Sequence, residues 1–272
     1  MPKLKRSHNL YLKSRALVGM PPLPEEKLGL KGPDPVDVND FIREPAGDRL
    51  TPINLLDTYP VPVMDQGRTN RCGPYSGVSG MSILMQKATT ERTPMSVNDL
   101  YRFCSRDITV DEGVYMRDLM AGMAEHGALP ERMWPNHRRF DELPKGLDET
   151  HAWDPMRFRI RGGYWRIRDA KDAAHILSAE QLPIWVGCTL YKNVVDAAMY
   201  DGVFKMPSPR DTIIGGHAML VVGWLYKNGV RYFILLNSWG YNVGLRGLFL
   251  MPDSYVDENI CTDLWTVARD MF

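Results

Sequence analysis

The sequence predicts an α+β protein of two lobes with a cleft between them: a helical lobe over about residues 65–157, then an antiparallel β-sheet or barrel lobe over about 158–272. Three observations carry that prediction. Apolar residues recur at helical spacing through the first half, short runs of branched and aromatic residues replace them from Phe158 onward, and 272 residues at 44% hydrophobic composition can bury a substantial core. No internal repeat is visible in the chain.

Residues 1–50 stand apart from residues 51–272, which form the expected globular domain. The segment PPLPEEKLGLKGPDPVDVND is rich in proline and charge and lacks a sustained period, so it reads as an extended arm. Its first residues hold Lys3, Lys5, Arg6, Lys13 and Arg15 and no acid, which suits a tether. From Thr51 the pattern turns helical through GVSGMSILMQK, through SVNDLYRFC after Pro94, and through YMRDLMAGMAEHG, which stops at Gly127. The later runs FRIRGGYWRI, PIWVGCTLY, GHAMLVVGWLY and VRYFILLNSW read as strands, with the helix DAKDAAHILSAE between the first two.

Composition narrows the function classes. The formal net charge is zero, so total charge points to neither nucleic acid nor an acidic membrane as partner. No window approaches the roughly 18 apolar residues of a membrane helix, and the basic N-terminus is not followed by a secretory core, so a cytoplasmic location is expected. Cys72, Cys104, Cys188 and Cys261 lie in separate contexts without metal-ligand spacing. Without an export signal they are expected to be reduced, with Cys104, Cys188 and Cys261 buried as small hydrophobes.

Turn chemistry then brings chemical groups together. Asn228-Gly229 between two apolar runs is a strong hairpin signal. Lys227 would face Val230, and His217 would fall opposite Gly240, three residues from Asn237 and within reach of it. Separately, Pro74 suits a first helical turn and Val78, Met81 and Met85 share one helical face. Cys72 would then start a helix, where the dipole and free amides favour a thiolate. Gly77 and Gly80 should cost that helix about 1–2 kcal/mol against alanine, which makes sense only at a close approach to another segment. A cysteine at a helix start, a histidine beside an asparagine, and Gln66 just upstream make a set suited to acyl transfer.

The set resembles the papain-like cysteine peptidases of bacteria and their viruses. DQG followed four residues later by cysteine gives Gln66 and Cys72; GGHA ahead of an apolar strand gives His217; NSWG gives Asn237 and Trp239; VGLRG gives Gly244 and Gly247. The resemblance covers roughly Asn54 to Val267 and implies the two-lobed papain-like fold and a thiol-dependent endopeptidase acting on protein or peptide substrates. It implies Cys72 as nucleophile, His217 as acid and base, Asn237 as its orienter, Gln66 as oxyanion donor and Trp239 as a shield over the His–Asn pair. Gly113 in DEGVYMRDL and Gly216 before the histidine are the residues assigned to substrate binding. No metal or organic cofactor is expected. Gly73 departs from the aromatic that usually follows the nucleophile, which leaves open an isopeptide, thioester or amide substrate. A catalytically idle scaffold is the alternative of another class. In relatives such an arm blocks the cleft until removed; here its shortness and lack of a long helix favour anchoring to a larger assembly, a virion included.

Overall fold

The computed structural model describes residues 29–34, 50–136 and 155–268. Helix α1 (Cys72–Thr89) is the element against which both halves pack. Pro74 stands in its first turn, where no amide is needed, and buried residues cover nearly its whole circumference. The two glycines explain how it lies so close to its neighbours. A Cβ on Gly80 would come 2.3 Å from the Trp185 ring, and one on Gly77 would come 2.8 Å from Leu100 and 3.0 Å from Leu119. Trp185 Nε1 donates to the Ser76 carbonyl at 3.0 Å, so the indole closes against helix backbone.

On one side of α1 lie α2 (Val97–Cys104) and α3 (Met116–Glu125). Ser96 caps α2 by accepting the Asp99 amide at 3.1 Å. Helix α3 ends at His126 before Gly127, whose φ of 70° turns the chain away. On the other side lies an antiparallel sheet of β2 (Tyr164–Arg166), β3 (Ile184–Tyr191), β4 (Ile213–Lys227), β5 (Val230–Leu236), β6 (Leu248–Pro252) and β7 (Cys261–Val267). Its order is β2-β7-β3-β4-β5-β6, with the short β1 (Ile53–Asn54) added on β4. The continuous apolar run of β3 is buried almost throughout, as a central strand requires. Among the described residues no helix is long and apolar enough to cross a membrane.

The expected helices and strands are present with three differences. Only Tyr164–Arg166 of FRIRGGYWRI is strand; Gly162 and Gly163, at φ of 80° and 90°, bend the chain, and Phe158 makes a lone bridge to Ala128. Helix α4 (Ala170–His175) widens into a π-turn over Ile176–Glu180. Five elements form where no element was expected: the two-residue β1, α5 (Lys192–Asp201), the five-residue β6, α6 (Ser254–Asp257) and β7.

The cysteine reading needs correction. Cys188 and Cys261, expected to be reduced, form a disulfide. They lie 73 residues apart, but the register sets β3 against β7 with these two residues directly opposite, their Cα atoms 4.1 Å apart. Cys72 and Cys104 are free and buried.

The tight seat of α1 makes a specific claim. Gly80→Ala should destabilise the protein by about 1–3 kcal/mol through collision with Trp185, although alanine favours a helix by about 1 kcal/mol over glycine. Denaturant unfolding measures the sum, and a gain in stability would show that the interface is not tight at this position.

Candidate active site

The hairpin that carries His217 is built by its turn and then adjusted by one residue. Asn228 and Gly229 take φ of 52° and 78°, the pair of positive values a tight hairpin turn demands, and Lys227 faces Val230. A bulge between Val221 and Gly223 shifts the register so that Leu220 faces Leu236. That shift carries Asn237 one place closer to His217 than an unbroken ladder would. His217 Nε2 lies 2.8 Å from Asn237 Oδ1. The same oxygen accepts the Ser238 amide at 2.8 Å, which fixes it as an acceptor and places the ring proton on Nε2. Nδ1 is then the basic nitrogen. Trp239, almost fully buried, holds its ring 4.5 Å from the imidazole centroid and covers the pair.

Cys72 is the first residue of α1 and has no exposed surface. Its sulfur accepts the amide of Ala218, the residue after His217, at 3.4 Å, so helix start and imidazole strand meet at the thiol. Gln66 is tied to the same centre from a third segment. Its amide donates to the Ser238 carbonyl at 2.8 Å, its Oε1 accepts Ser238 Oγ at 2.6 Å, and its Nε2 donates to the Thr69 carbonyl at 2.7 Å. Gln66, Cys72, His217, Asn237 and Trp239, drawn from three stretches of sequence, are therefore brought together. Among the described residues no group of three or more His, Cys, Asp or Glu could hold a metal ion. His126 stacks on Phe103 at 4.1 Å and His175 is buried in α4; His8, His137 and His151 lie outside the described residues.

Residues 29–34 of the arm lie in the cleft beside this centre. Leu30 bridges Val114 in parallel on the helical side and Gly216 in antiparallel on β4. The Val114 amide donates to the Gly29 carbonyl at 2.9 Å, Lys31 N donates to the Val114 carbonyl at 3.2 Å, and Leu30 N donates to the Gly216 carbonyl at 3.3 Å. The strap thus pairs with Val114, one residue after Gly113. Gly113 serves it by shape: its φ is 80°, and a Cβ there would lie 1.7 Å from the Gly29 carbonyl oxygen. Gly216 pairs the strap through its carbonyl, and a Cβ there would come 2.9 Å from Leu30 O. The Leu30 side chain enters the space left by Gly187, next to Met116 and Asp263.

The far end of this strap is fastened by charge. The Asp34 amide donates to Asp263 Oδ2 at 3.0 Å, Asp34 Oδ2 accepts the Arg117 amide at 2.8 Å, and Arg166 reaches the Asp34 carbonyl at 3.2 Å and Asp263 Oδ1 at 3.3 Å. Burial pushes Asp263 up to about 6 and Asp34 in the same direction; the Asp34 charge adds to the shift of Asp263 and the Asp118 charge to that of Asp34, while Arg117 and Arg166 oppose both. Lys31 pairs with Glu112 at the rim.

Under this cover Cys72 is not the thiolate expected of a helix start. Burial pushes the thiol up to about 11, outweighing the N–H groups of Ala218, Gly29 and Gly73 that favour the anion. The strap's own Gly29 amide is one of the groups facing the sulfur. Sequence reasoning weighed a blocking arm but preferred anchoring, named Ser238 only as part of NSWG, and gave Val114 no role. The one visible signal was LGLKG, an apolar residue set between glycines inside an otherwise charged arm.

Residues 57–262 match the family model described as papain family cysteine protease. The chain belongs to the papain family of cysteine proteases. Within it, the chain is 32% identical over 150 residues to an uncharacterized peptidase C1-like protein of Acanthamoeba polyphaga mimivirus, a match covering 46% of this chain and 48% of that protein. It is 26% identical over 208 residues to cathepsin J of Mus musculus, covering 70% of this chain and 56% of that one. The chain thus spans about half the length of the curated relatives it matches. Xylellain, a cysteine protease from Xylella fastidiosa, superposes with a TM-score of 0.77 at 26% identity, covering 89% of this chain and 96% of that structure. Procathepsin B S9 from Trypanosoma congolense, at 16% identity and a TM-score of 0.72, shares the fold over 91% of this papain-family chain and 88% of its own.

Alkylation of Cys72 by iodoacetamide, followed by intact mass, should be slow near neutral pH and accelerate as pH climbs toward about 11, because the covered sulfur gives up its proton only there. Rapid labelling of the intact chain at neutral pH would show that the strap does not hold the thiol in this state.

Proposed function

We propose that this chain hydrolyses peptide bonds as a thiol endopeptidase, and that the strap in the cleft is the segment it must displace to do so. The observation that carries the reading is the His217–Asn237 bond at 2.8 Å on a strand whose next amide touches the Cys72 sulfur. In this reading His217 Nδ1 takes the Cys72 proton, and the thiolate attacks the substrate carbonyl carbon to form a C–S bond. The oxyanion accepts hydrogen bonds from the Cys72 amide and a Gln66 side-chain N–H, whose orientation Ser238 and Thr69 hold. His217 then protonates the leaving nitrogen as the C–N bond breaks. Water, deprotonated by the same imidazole, hydrolyses the thioester and the thiol proton returns. Asn237 keeps the ring in its useful tautomer, and Trp239 excludes water from their bond.

Substrate backbone would use the groups that now pair the strap: the Val114 amide and carbonyl and the Gly216 carbonyl. Support for a blocking role comes from the position of residues 29–34, which cover the sulfur and fill the cleft. The anchoring reading rested on the basic residues 1–15, which lie outside the described residues.

On a fluorogenic peptide, Gln66→Ala should lower kcat by about 10²–10³, with Asn237→Ala losing less; unchanged turnover in Gln66→Ala would remove it from the oxyanion site. Leu30→Asp tests the strap, because a carboxylate is costly in the apolar space beside Met116 and Gly187. That variant should cleave peptide and alkylate at Cys72 faster than the parent. Equal rates in both assays would mean that the strap does not limit access.

A further inference from the structure

The residue directly before the nucleophile is an arginine with no exposed side-chain surface. Arg71 occupies the N-cap of α1 without a side-chain cap, and its carbonyl accepts the Tyr75 amide at 3.0 Å. A cation there is opposed twice, by the positive end of the helix dipole and by loss of water. What it touches accounts for its presence. The guanidinium donates to Asn98 Oδ1 on α2, lies 4.9 Å over the Tyr101 ring, and brings Nε to 3.9 Å from Asp111 Oδ1.

Asp111 belongs to the loop that ends in the cleft edge. Its Oδ2 accepts the Asn70 amide at 2.8 Å, its carbonyl accepts Asn70 Nδ2, and the preceding Val110 carbonyl accepts Tyr101 OH at 3.2 Å. Asn98 is itself held through Nδ2 to the Pro135 carbonyl at 2.7 Å. The loop from Val110 to Val114 is therefore fastened to the two residues ahead of Cys72 and to α2. Three residues past Asp111, Val114 offers the amide and carbonyl that pair the strap.

We propose that Arg71 and Asp111 are positioning residues of this peptidase, holding the Val114 edge, and the substrate backbone paired to it, at a fixed place relative to the Cys72 sulfur. The proposal rests on the endopeptidase reading above. An electrostatic role in activating the thiol is disfavoured, because Asp111 pushes the Cys72 thiol further up. The pair acts through geometry, where a displacement of about 1 Å costs catalysis as much as about 100-fold. Arg71 fills a variable place between DQG and Cys72 and Asp111 opens DEGVYMRDL, and the sequence reading gave neither a role.

The test uses the full chain carrying Leu30→Asp as reference, so that strap and substrate do not compete for Val114. Asp111→Ala and Arg71→Met should raise KM and lower kcat/KM by about 10–100-fold, while the pH profile of Cys72 alkylation by iodoacetamide does not move to higher pH; removal of the Asp111 charge eases ionisation of the thiol and so cannot account for the loss. Arg71→Lys should recover part of the loss, and Asp111→Asn, which keeps an acceptor for the Asn70 amide, should lose less; these two serve if the harsher variants do not fold. Unchanged KM and kcat/KM, or a shift in the alkylation profile that accounts for the loss, would overturn the proposal. If the reference alkylates but cleaves no peptide, the endopeptidase reading fails instead. The positioning claim is then decided by the ratio of Cys72 labelling by a peptidyl chloromethyl ketone to labelling by iodoacetamide. A lower ratio in Asp111→Ala supports it and an equal ratio overturns it.

Discussion

Everything at this centre depends on how closely α1 can lie against β3 and β4. The helix carries the sulfur at its first residue, and the sheet carries the imidazole one residue away from the amide that touches that sulfur. Neither side chain is long enough to compensate for a helix standing further off. A side chain at position 80 would force that separation and one at 77 would push the helix off α2 and α3, so glycine stands at both at a conformational cost of about 1 kcal/mol each. The Trp185 indole fills the room that Gly80 leaves and binds helix backbone as well. A packing requirement in the core thus sets the distance between the Cys72 sulfur and the strand that carries the His217 imidazole.

The same economy of side chains governs the cleft. Gly29, Gly113 and Gly216 let three backbones approach until hydrogen bonds between them carry the contact, leaving Leu30 as the one apolar anchor. Burial by the strap also explains why the sulfur holds its proton despite its place at a helix start. Cover and chemical quiescence come from one cause.

Much of this was legible because local rules and site chemistry pointed the same way. Asn-Gly gave the hairpin, Pro74 and the apolar face gave α1, and four short motifs gave the residues around the sulfur. What stayed hidden depended on contacts between distant segments. Cys188 and Cys261 look unrelated along the chain and become opposite partners only through the β3–β7 register. Val114 pairs the strap because the strap approaches from its side, and the strap itself sits in a segment whose composition argues against order. Arg71 resembles any basic residue until its burial is seen.

The bulge at Val222 has a consequence for how this hairpin can vary. Facing of side chains in a strand alternates with every residue, so the meeting of His217 and Asn237 depends on the difference between the two arm lengths, not on either length alone. Lengthening both arms by one residue at the exposed tip, near Tyr226 and Val230, leaves that difference intact. A single insertion or deletion between His217 and the turn changes it and sends the imidazole to the opposite face of the sheet. The tip is open to change in matched pairs and closed to change by ones.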